Sequence, residues 1–573
     1  MRFILLTLFV FIQLSMKSQS APILIDGVYD DWNTGLATFT DTAETISGID
    51  ILEMQVTNDD AFLYIKFITD TEFDLTTNLV QQDVMLFIDA DNNPTTGYQI
   101  QSGYGSELGI NFKERFAYYN VTPPSNLSFS DIRLIPAPTV TSNQFEIAIA
   151  RNVLPDGINP LFPSPTIRIL FKDANSGDNM PNVGEVFYYT FDESAVPDIE
   201  LIEIEKADTS LIRILAYNTL FSGLIDTDRV NYFENIIRVL NPDIIGFSEC
   251  GSTSSSDVKT LLDDWLPLGT SQGWYVTKDS SGDLITASRW QFLQQWNSLY
   301  RQFPVLIDLP ASYNTNLLFT NAHLRCCDAN YERQEQVDDY VSFMLDAMTS
   351  GGEISLPENT PFVYAGDLNL VGFAQQLTTL ITGDIQNTAT YGTGGPYDWD
   401  STSVTDQICR QTDKRMAYTW RDDGSSFPDG RLDFMLFSDA VMTAEKSFTL
   451  QTEVMSTDRL QQYGFYQYDT STASDHFPVV TDFSIHAAIS VDDESLPKIL
   501  LYPNPTKDKI KIDFINPTLR IIKLFDIKGL LILEIKSDLI SKEIDVTFLN
   551  KGVYFISVEN SNGAIQKLKF IKI

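Results

Sequence analysis

Between residues 211 and 485 the chain repeats one device: an apolar run of strand length that ends in a polar side chain. IRILAYN closes on Asn218, DIIGFSE on Glu249, LLFTNAH on His323, and FVYAGDLN on Asp367 and Asn369. RLDFML opens on Arg431 and carries Asp433, and SDHFP places Asp475 and His476 just ahead of another apolar run. Between these runs lie helical stripes. Residues 229–240 have Val230, Phe233, Ile236, Ile237 and Leu240 on one face, and residues 331–348 form a second helical segment. Strands that alternate with helices predict packed α/β layers, with the polar strand ends gathered into a site.

The residue types at those ends suit cleavage of a phosphate ester. Such an ester is inert, so the chemistry needs charge neutralisation, an activated water and a stabilised leaving oxygen. Glu249 is an oxygen ligand for Mg²⁺ or Mn²⁺. Asp367 and Asn369 are two apart, so on extended chain they face the same side. Asp367 can orient or deprotonate the water while Asn369 donates to a phosphate oxygen. Asp475 and His476 divide the metal or water contact from the phosphate contact. Asp433 can hold His476 in one tautomer and raise its pKa.

GDLN alone or SDH alone is a common turn; six motifs in order are not. The set resembles the endonuclease/exonuclease/phosphatase superfamily of DNase I-like nucleases, sphingomyelinases and inositol polyphosphate phosphatases. The resemblance spans about 275 residues and implies a four-layer α/β sandwich. It implies metal-side roles for Asn218, Glu249 and Asp475. It makes His323 a phosphate contact or general acid, Asp367 and Asn369 the GD-x-N pair, and Asp433 the partner of His476. Two departures stand out. Ser248 occupies the place where the family often has Gln, and the carboxylate that supports the first histidine in DNase I-like enzymes has no match by sequence. Of the three histidines, two fall on motif positions; His486 reads as a surface or linker residue.

The flanks differ. Residues 21–195 read as short strands broken by turns, the rhythm of an all-β sandwich. DGVYDDW and FIDADNNPTTGY resemble the family 9-like (DOMON-like) carbohydrate-binding modules, which implies a glycan as a candidate partner. Trp32, Tyr98 and Tyr104 are candidate stacking residues, with a core position as the competing reading. Asp89, Asp91 and Asn93 have the spacing of a Ca²⁺ loop, but Pro94 stands where an EF-hand wants Gly, and a turn capped by Asx side chains reads equally well. Residues 196–210 read as a linker. Residues 496–573 read as a small Ig-like β-sandwich with 13 Lys and Arg against 8 acids. LYPNPT, DIKG and LNKGVYFI resemble the sorting domain of the type IX secretion system, which implies that machinery as a partner.

Residues 1–20 have Arg2, an apolar run and then small or polar residues, the pattern of a signal peptide. No later stretch has the length and apolarity of a membrane span. The expected location is secreted or cell surface. A net charge of −38 argues against broad electrostatic binding to nucleic acid or anionic membrane, though a local cleft with a cation can offset it. The four cysteines admit a bridge from Cys250 to Cys326 or Cys327, another to Cys409, or free thiols. The expectation is a secreted Mg²⁺-dependent phosphodiester hydrolase, first a nuclease on DNA or RNA. The alternatives are a phospholipid or sphingomyelin phosphodiesterase, an inositol phosphate phosphatase, or a glycan-binding adhesin with an inactive middle domain. An exposed aromatic hairpin beside the cleft, using Trp290, Trp296 and Tyr300, would favour lipid; a core position for all three reads equally well.

Overall fold

A computed structural model describes residues 20–44, 47–77, 82–486, 499–514, 520–526, 529–560 and 565–573. The expected export segment therefore lies, but for Ser20, outside the described residues, as does the middle of the DIKG turn. The chain divides into two compact units, one ending at Ala487 and the other starting at Ala488.

The first part of the larger unit is two antiparallel sheets packed face to face. One has the order Ala37–Thr40, Ile51–Asn58, Phe62–Phe73, Ser142–Ala150, Ile135–Ala137. The other is built around Thr166–Asp173, Val84–Asp89 and Leu108–Asn111. Alternate residues of each strand, such as Ile65, Phe67, Leu86, Ile88, Phe145, Ile147 and Ile169, fill the space between them. Phe67 anchors this core, with ring centroids 5.4 Å from Phe145 and 4.6 Å from Phe171. Trp32 and Tyr104, expected as either sugar platforms or core, are buried: the Trp32 indole donates to Glu146, and the Tyr104 hydroxyl donates to Ile169 O. Tyr98 is exposed.

The second part has four layers. Two six-stranded sheets stack on each other, with Ile214, Ala216, Phe303, Phe319, Val363, Ala365 and Val479 between them. Helices Val230–Leu240 and Ser255–Trp265 cover the outer face of the first sheet; Asn330–Ala347 and Gln375–Thr382 cover that of the second. Each helix buries the stripe that its sequence presents, as Phe233, Ile236, Ile237 and Leu240 do. The central strand pairs are parallel, Ile212–Asn218 with Ile244–Ser248 and Leu317–His323 with Phe362–Asp367. Arg213 ties the first sheet across its middle, with Nε 2.6 Å and Nη2 2.7 Å from the two carboxylate oxygens of Asp482.

These two parts share a core. Ile25, Phe62, Tyr64, Ile135 and Ala148 of the β-sandwich pack against Met416, Tyr418 and Phe477. Backbone pairing joins them twice more, Ile25 with Met416 and Val140 with Gly372. The segment 196–210 contains no helix or strand, yet Ile204 is fully buried against the α/β layers and Lys446 donates to Glu203 O and Glu205 O.

The unit from Ala488 is a small β-sandwich of a three-stranded and a four-stranded sheet, with Ile510, Ile512, Leu524, Ile544, Ile556 and Phe570 inside. All four cysteines are free thiols: Cys250 and Cys409 are buried, Cys326 and Cys327 exposed. Cys250 faces Thr219 and Ser248 O, so the bridge admitted for it is absent.

Candidate active site

Strand register builds the site. In the second sheet His323 pairs with Asp367, and Asp367 with Asp433, so three neighbouring strands deliver three polar residues side by side. In the first sheet Asn218 pairs with Ser248, and the chain turns at Glu249. The backbone is bent to fit: Glu249 has φ 56° and Asn369 φ 49°, both left-handed. Gly366 has φ +141°, and a Cβ there would come within 1.9 Å of Ala322 O, so the glycine of the GDLN motif permits the close approach of the two strands.

The side chains converge on Asp367. Its Oδ2 lies 3.5 Å from His323 Nε2 and 3.6 Å from His476 Nε2, and accepts the Asn218 amide N–H at 3.0 Å. The same amide nitrogen donates to Glu249 Oε1 at 3.1 Å. Glu249 Oε2 accepts from Phe221 N at 2.9 Å. Asn369 donates to Leu324 O, and its own N–H is held by Asp367 Oδ1. Asp475 Oδ2 accepts the Trp420 indole N–H at 3.0 Å.

Each histidine has a carboxylate behind it. His476 Nδ1 is 2.8 Å from Asp433 Oδ2, which also accepts from the Thr419 hydroxyl at 2.8 Å. Burial alone would lower the His476 pKa, but the charges of Asp433, Asp367 and Asp475 outweigh it and raise the value to about 10. The ring is therefore an imidazolium at neutral pH, with Nε2–H facing the cleft. His323 Nδ1 is 2.6 Å from Asp283 Oδ2 and equally near Arg301 Nη2. The carboxylate is the acceptor for Nδ1–H, because the guanidinium has other acceptors in His323 O and Asp283 itself. Although burial raises its pKa, contact with His323, Arg301 and Lys278 leaves the Asp283 carboxyl below its ordinary range.

Asp283 is the support that the motifs alone did not reveal. It sits in the Ser-Ser-Gly-Asp turn before the strand Ile285–Ser288, 40 residues from the histidine that it orients. A carboxylate at the end of a tight turn before an apolar run was the available signal. Thr419 and Trp420 were missed as well; they lie in a segment with little regular structure. His486 is bonded to Thr443 at the surface, away from this cluster.

A cleft of about 780 Å³ opens over the cluster. Glu249, His323, Asp367, Asn369, Asp475 and His476 form its floor, while Asn218 and Asp433 are buried beneath. One wall comes from the β-sandwich, through Asp74, Leu75, Thr76, Pro136, Pro138 and Thr139. Of the residues weighed as lipid hairpin or core, Trp296 packs edge-on to Phe343 and Trp290 to Tyr313, and Tyr300 is exposed.

Residues 215–476 match the Endonuclease/Exonuclease/phosphatase family and residues 500–572 the secretion system C-terminal sorting domain. Over 112 residues the chain is 29% identical to an ulvan lyase of Nonlabens ulvanivorans; the match takes in 19% of this chain and 21% of that enzyme's length. Among solved structures it is similar to the 2′,3′-cyclic phosphatase ANGEL2, at 12% identity and TM-score 0.33, over 48% of this chain and 97% of that one. It is also similar to sphingomyelinase C from Streptomyces griseocarneus (14%, 0.28, 48% and 99%). A third is an AP endonuclease from Leishmania major (11%, 0.29, 50% and 93%). Residues 215–476 are thus a domain of the endonuclease/exonuclease/phosphatase family, and the chain ends in a secretion system C-terminal sorting domain.

Proposed function

We propose that the chain is an exported phosphodiester hydrolase that depends on a divalent cation and acts on nucleic acid. The observation that carries this reading is Asp367 Oδ2 lying within 3.6 Å of two imidazole Nε2 atoms, each imidazole backed by its own carboxylate. A diester needs two proton donors at its phosphorus, one for a non-bridging oxygen and one for the departing oxygen. Two such rings beside one carboxylate oxygen meet that need.

In this reading Asp367 orients the attacking water and accepts its proton. His476, charged and braced by Asp433, donates Nε2–H to a non-bridging oxygen as negative charge builds there. His323, held by Asp283 through Nδ1–H, acts in its doubly protonated form, passing the Nε2 proton to the leaving oxygen and ending as the neutral Nδ1–H ring. Asn369, at the cleft floor, donates to a second phosphate oxygen. The donor set fits a hard cation. The Glu249 and Asp367 carboxylates share one neutral amide, with ligand oxygens within 4.8 Å of each other. Glu249 would hold Mg²⁺ or Mn²⁺, with Asp475 as the second candidate carboxylate. When bound, such an ion neutralises phosphate charge and polarises the ester.

The cleft also bears on the substrate. Its lining offers Arg421, already paired with Asp423 and Glu453, beside Asp74 and Asp422. There is no basic track here for a long polyanion among the described residues, so recognition rests on the scissile phosphate and its immediate neighbours. The test is release of nitrophenol from bis(p-nitrophenyl) phosphate and cleavage of DNA and RNA oligonucleotides by the mature chain. Turnover that needs Mg²⁺ or Mn²⁺, stops with EDTA and is lost in His476→Ala supports the proposal. Turnover of the small diester but of neither nucleic acid would move the substrate to another diester class. No turnover of any of them would end the enzymatic reading.

A further inference from the structure

A second group of acidic side chains lies in the β-sandwich, away from the cleft and independent of the phosphoesterase reading. Asp89 ends the strand Val84–Asp89, Asp91 follows in the turn, and Glu107 precedes the strand Leu108–Asn111. Ligand atoms of the three lie within 4.8 Å of one another.

Asx turns account for part of the arrangement. Asp89 Oδ1 and Asp91 Oδ1 each accept from Asn93 N at 2.9 Å, and the Thr96 hydroxyl donates to Asp91. They do not account for all of it. Glu107 is 6% exposed; its Oε2 accepts from Ala90 N at 2.9 Å, but its Oε1 is buried with no hydrogen-bond partner. Asp89 is wholly buried, and its Oδ2 has only long contacts, 3.4 Å to Gly105 N and 3.5 Å to Arg168 Nε. The Arg168 guanidinium gives its best hydrogen bonds to Asn92 and Gly103 O instead. Three carboxylates thus face one partly engaged cation. A buried carboxylate oxygen with nothing to bond is costly, and a bound cation removes the cost.

We propose that Asp89, Asp91 and Glu107 bind a Ca²⁺ ion that fastens the 90–97 loop to the sheet. The donors are all oxygen, with no imidazole or thiolate in the cluster, which selects a hard cation over zinc. Ca²⁺ accepts six to eight oxygens in irregular geometry, whereas Mg²⁺ demands a near-ideal octahedron. Asp91, half-buried, opens the entry path.

The test is thermal unfolding and titration calorimetry of the EDTA-treated mature chain with CaCl₂. Glu249→Gln serves as a parent that lacks the carboxylate proposed to hold the cation in the cleft. In both proteins Ca²⁺ raises the Tm, with affinity in the range of about 10⁻⁴–10⁻³ M known for extracellular modules, and MgCl₂ at equal concentration raises it less. Glu107→Gln, made in the Glu249→Gln parent, abolishes the shift. Asp91→Asn, at the rim where folding is least at risk, weakens Ca²⁺ binding more than about tenfold. No Ca²⁺ shift in the parent, or an undiminished one in either variant, overturns the proposal. If Glu107→Gln does not fold, Asp91→Asn decides.

Discussion

Among the described residues, two clusters bring three ligand-bearing side chains within 4.8 Å: Glu249, His323 and Asp367 in the cleft, and Asp89, Asp91 and Glu107 in the β-sandwich. Their surroundings differ. The cleft carboxylates meet imidazoles that have carboxylates of their own behind them, and an open cavity lies above. The sandwich carboxylates meet backbone N–H groups and a tight turn. Acidic residues alone therefore do not make a reactive site. A path for protons and room for a substrate do, and the same residue types without them can only hold a cation in place.

The largest effect expected is at the cleft. His476→Ala should lower turnover by about 10²- to 10⁴-fold, the usual contribution of a positioned acid, and leave the Ca²⁺ response of the sandwich intact. If calorimetry showed that this variant also lost the Ca²⁺ shift, the two clusters would not be independent.

Next comes the core that the regions share. Phe477 follows His476 directly and packs against Ile25 and Phe62 of the sandwich side. Phe477→Ala should cost about 3–5 kcal/mol of stability. Differential scanning calorimetry should show one transition moving to lower temperature, because cleft and sandwich unfold together. Two separate transitions, with only one displaced, would mean that the shared core is not cooperative.

A smaller loss separates support from chemistry. Asp283→Asn should lower kcat by about 10- to 100-fold with KM little changed, since Asp283 touches His323 and not the substrate. An equal rise in KM would instead make it part of substrate binding. At the small end, Glu107→Gln made alone and assayed in the presence of Mg²⁺ should leave kcat within about twofold of the unsubstituted chain, while in the Glu249→Gln parent it removes the Ca²⁺-dependent Tm shift. A large fall in kcat would tie the sandwich cluster to the cleft.

Much of the cleft floor was legible because it is written in local pattern. An apolar run predicts a strand, and a polar residue at its end predicts an edge position; Asn218, Glu249, His323 and Asp367 all stand at such ends. The helix expected over 229–240 is Val230–Leu240, and that over 331–348 is Asn330–Ala347, each starting or ending within a residue of its stripe. Loops were read less well. Asp283, Thr419 and Trp420 sit in segments of little regular structure, and their partners His323, Asp433 and Asp475 are 40, 14 and 55 residues away in the chain. The aromatic residues considered for lipid or sugar went mostly into cores, because Trp32, Trp290 and Trp296 each found a partner to pack on or bond to.

What the sequence determined by itself was therefore periodicity and order: which runs form strands, which stripes form helices, and which polar residues close them. These follow from the chain's own geometry, with side chains alternating along a strand and recurring every three to four residues on a helix. Only the tertiary structure decided which carboxylate stands behind which histidine. It also decided that Asn218 bridges Glu249 and Asp367, that the β-sandwich supplies a wall of the cleft, and that Glu107 closes over Asp89 with an oxygen to spare. Those contacts join residues far apart in sequence, and they exist only once the sheets have paired in register and the layers have packed.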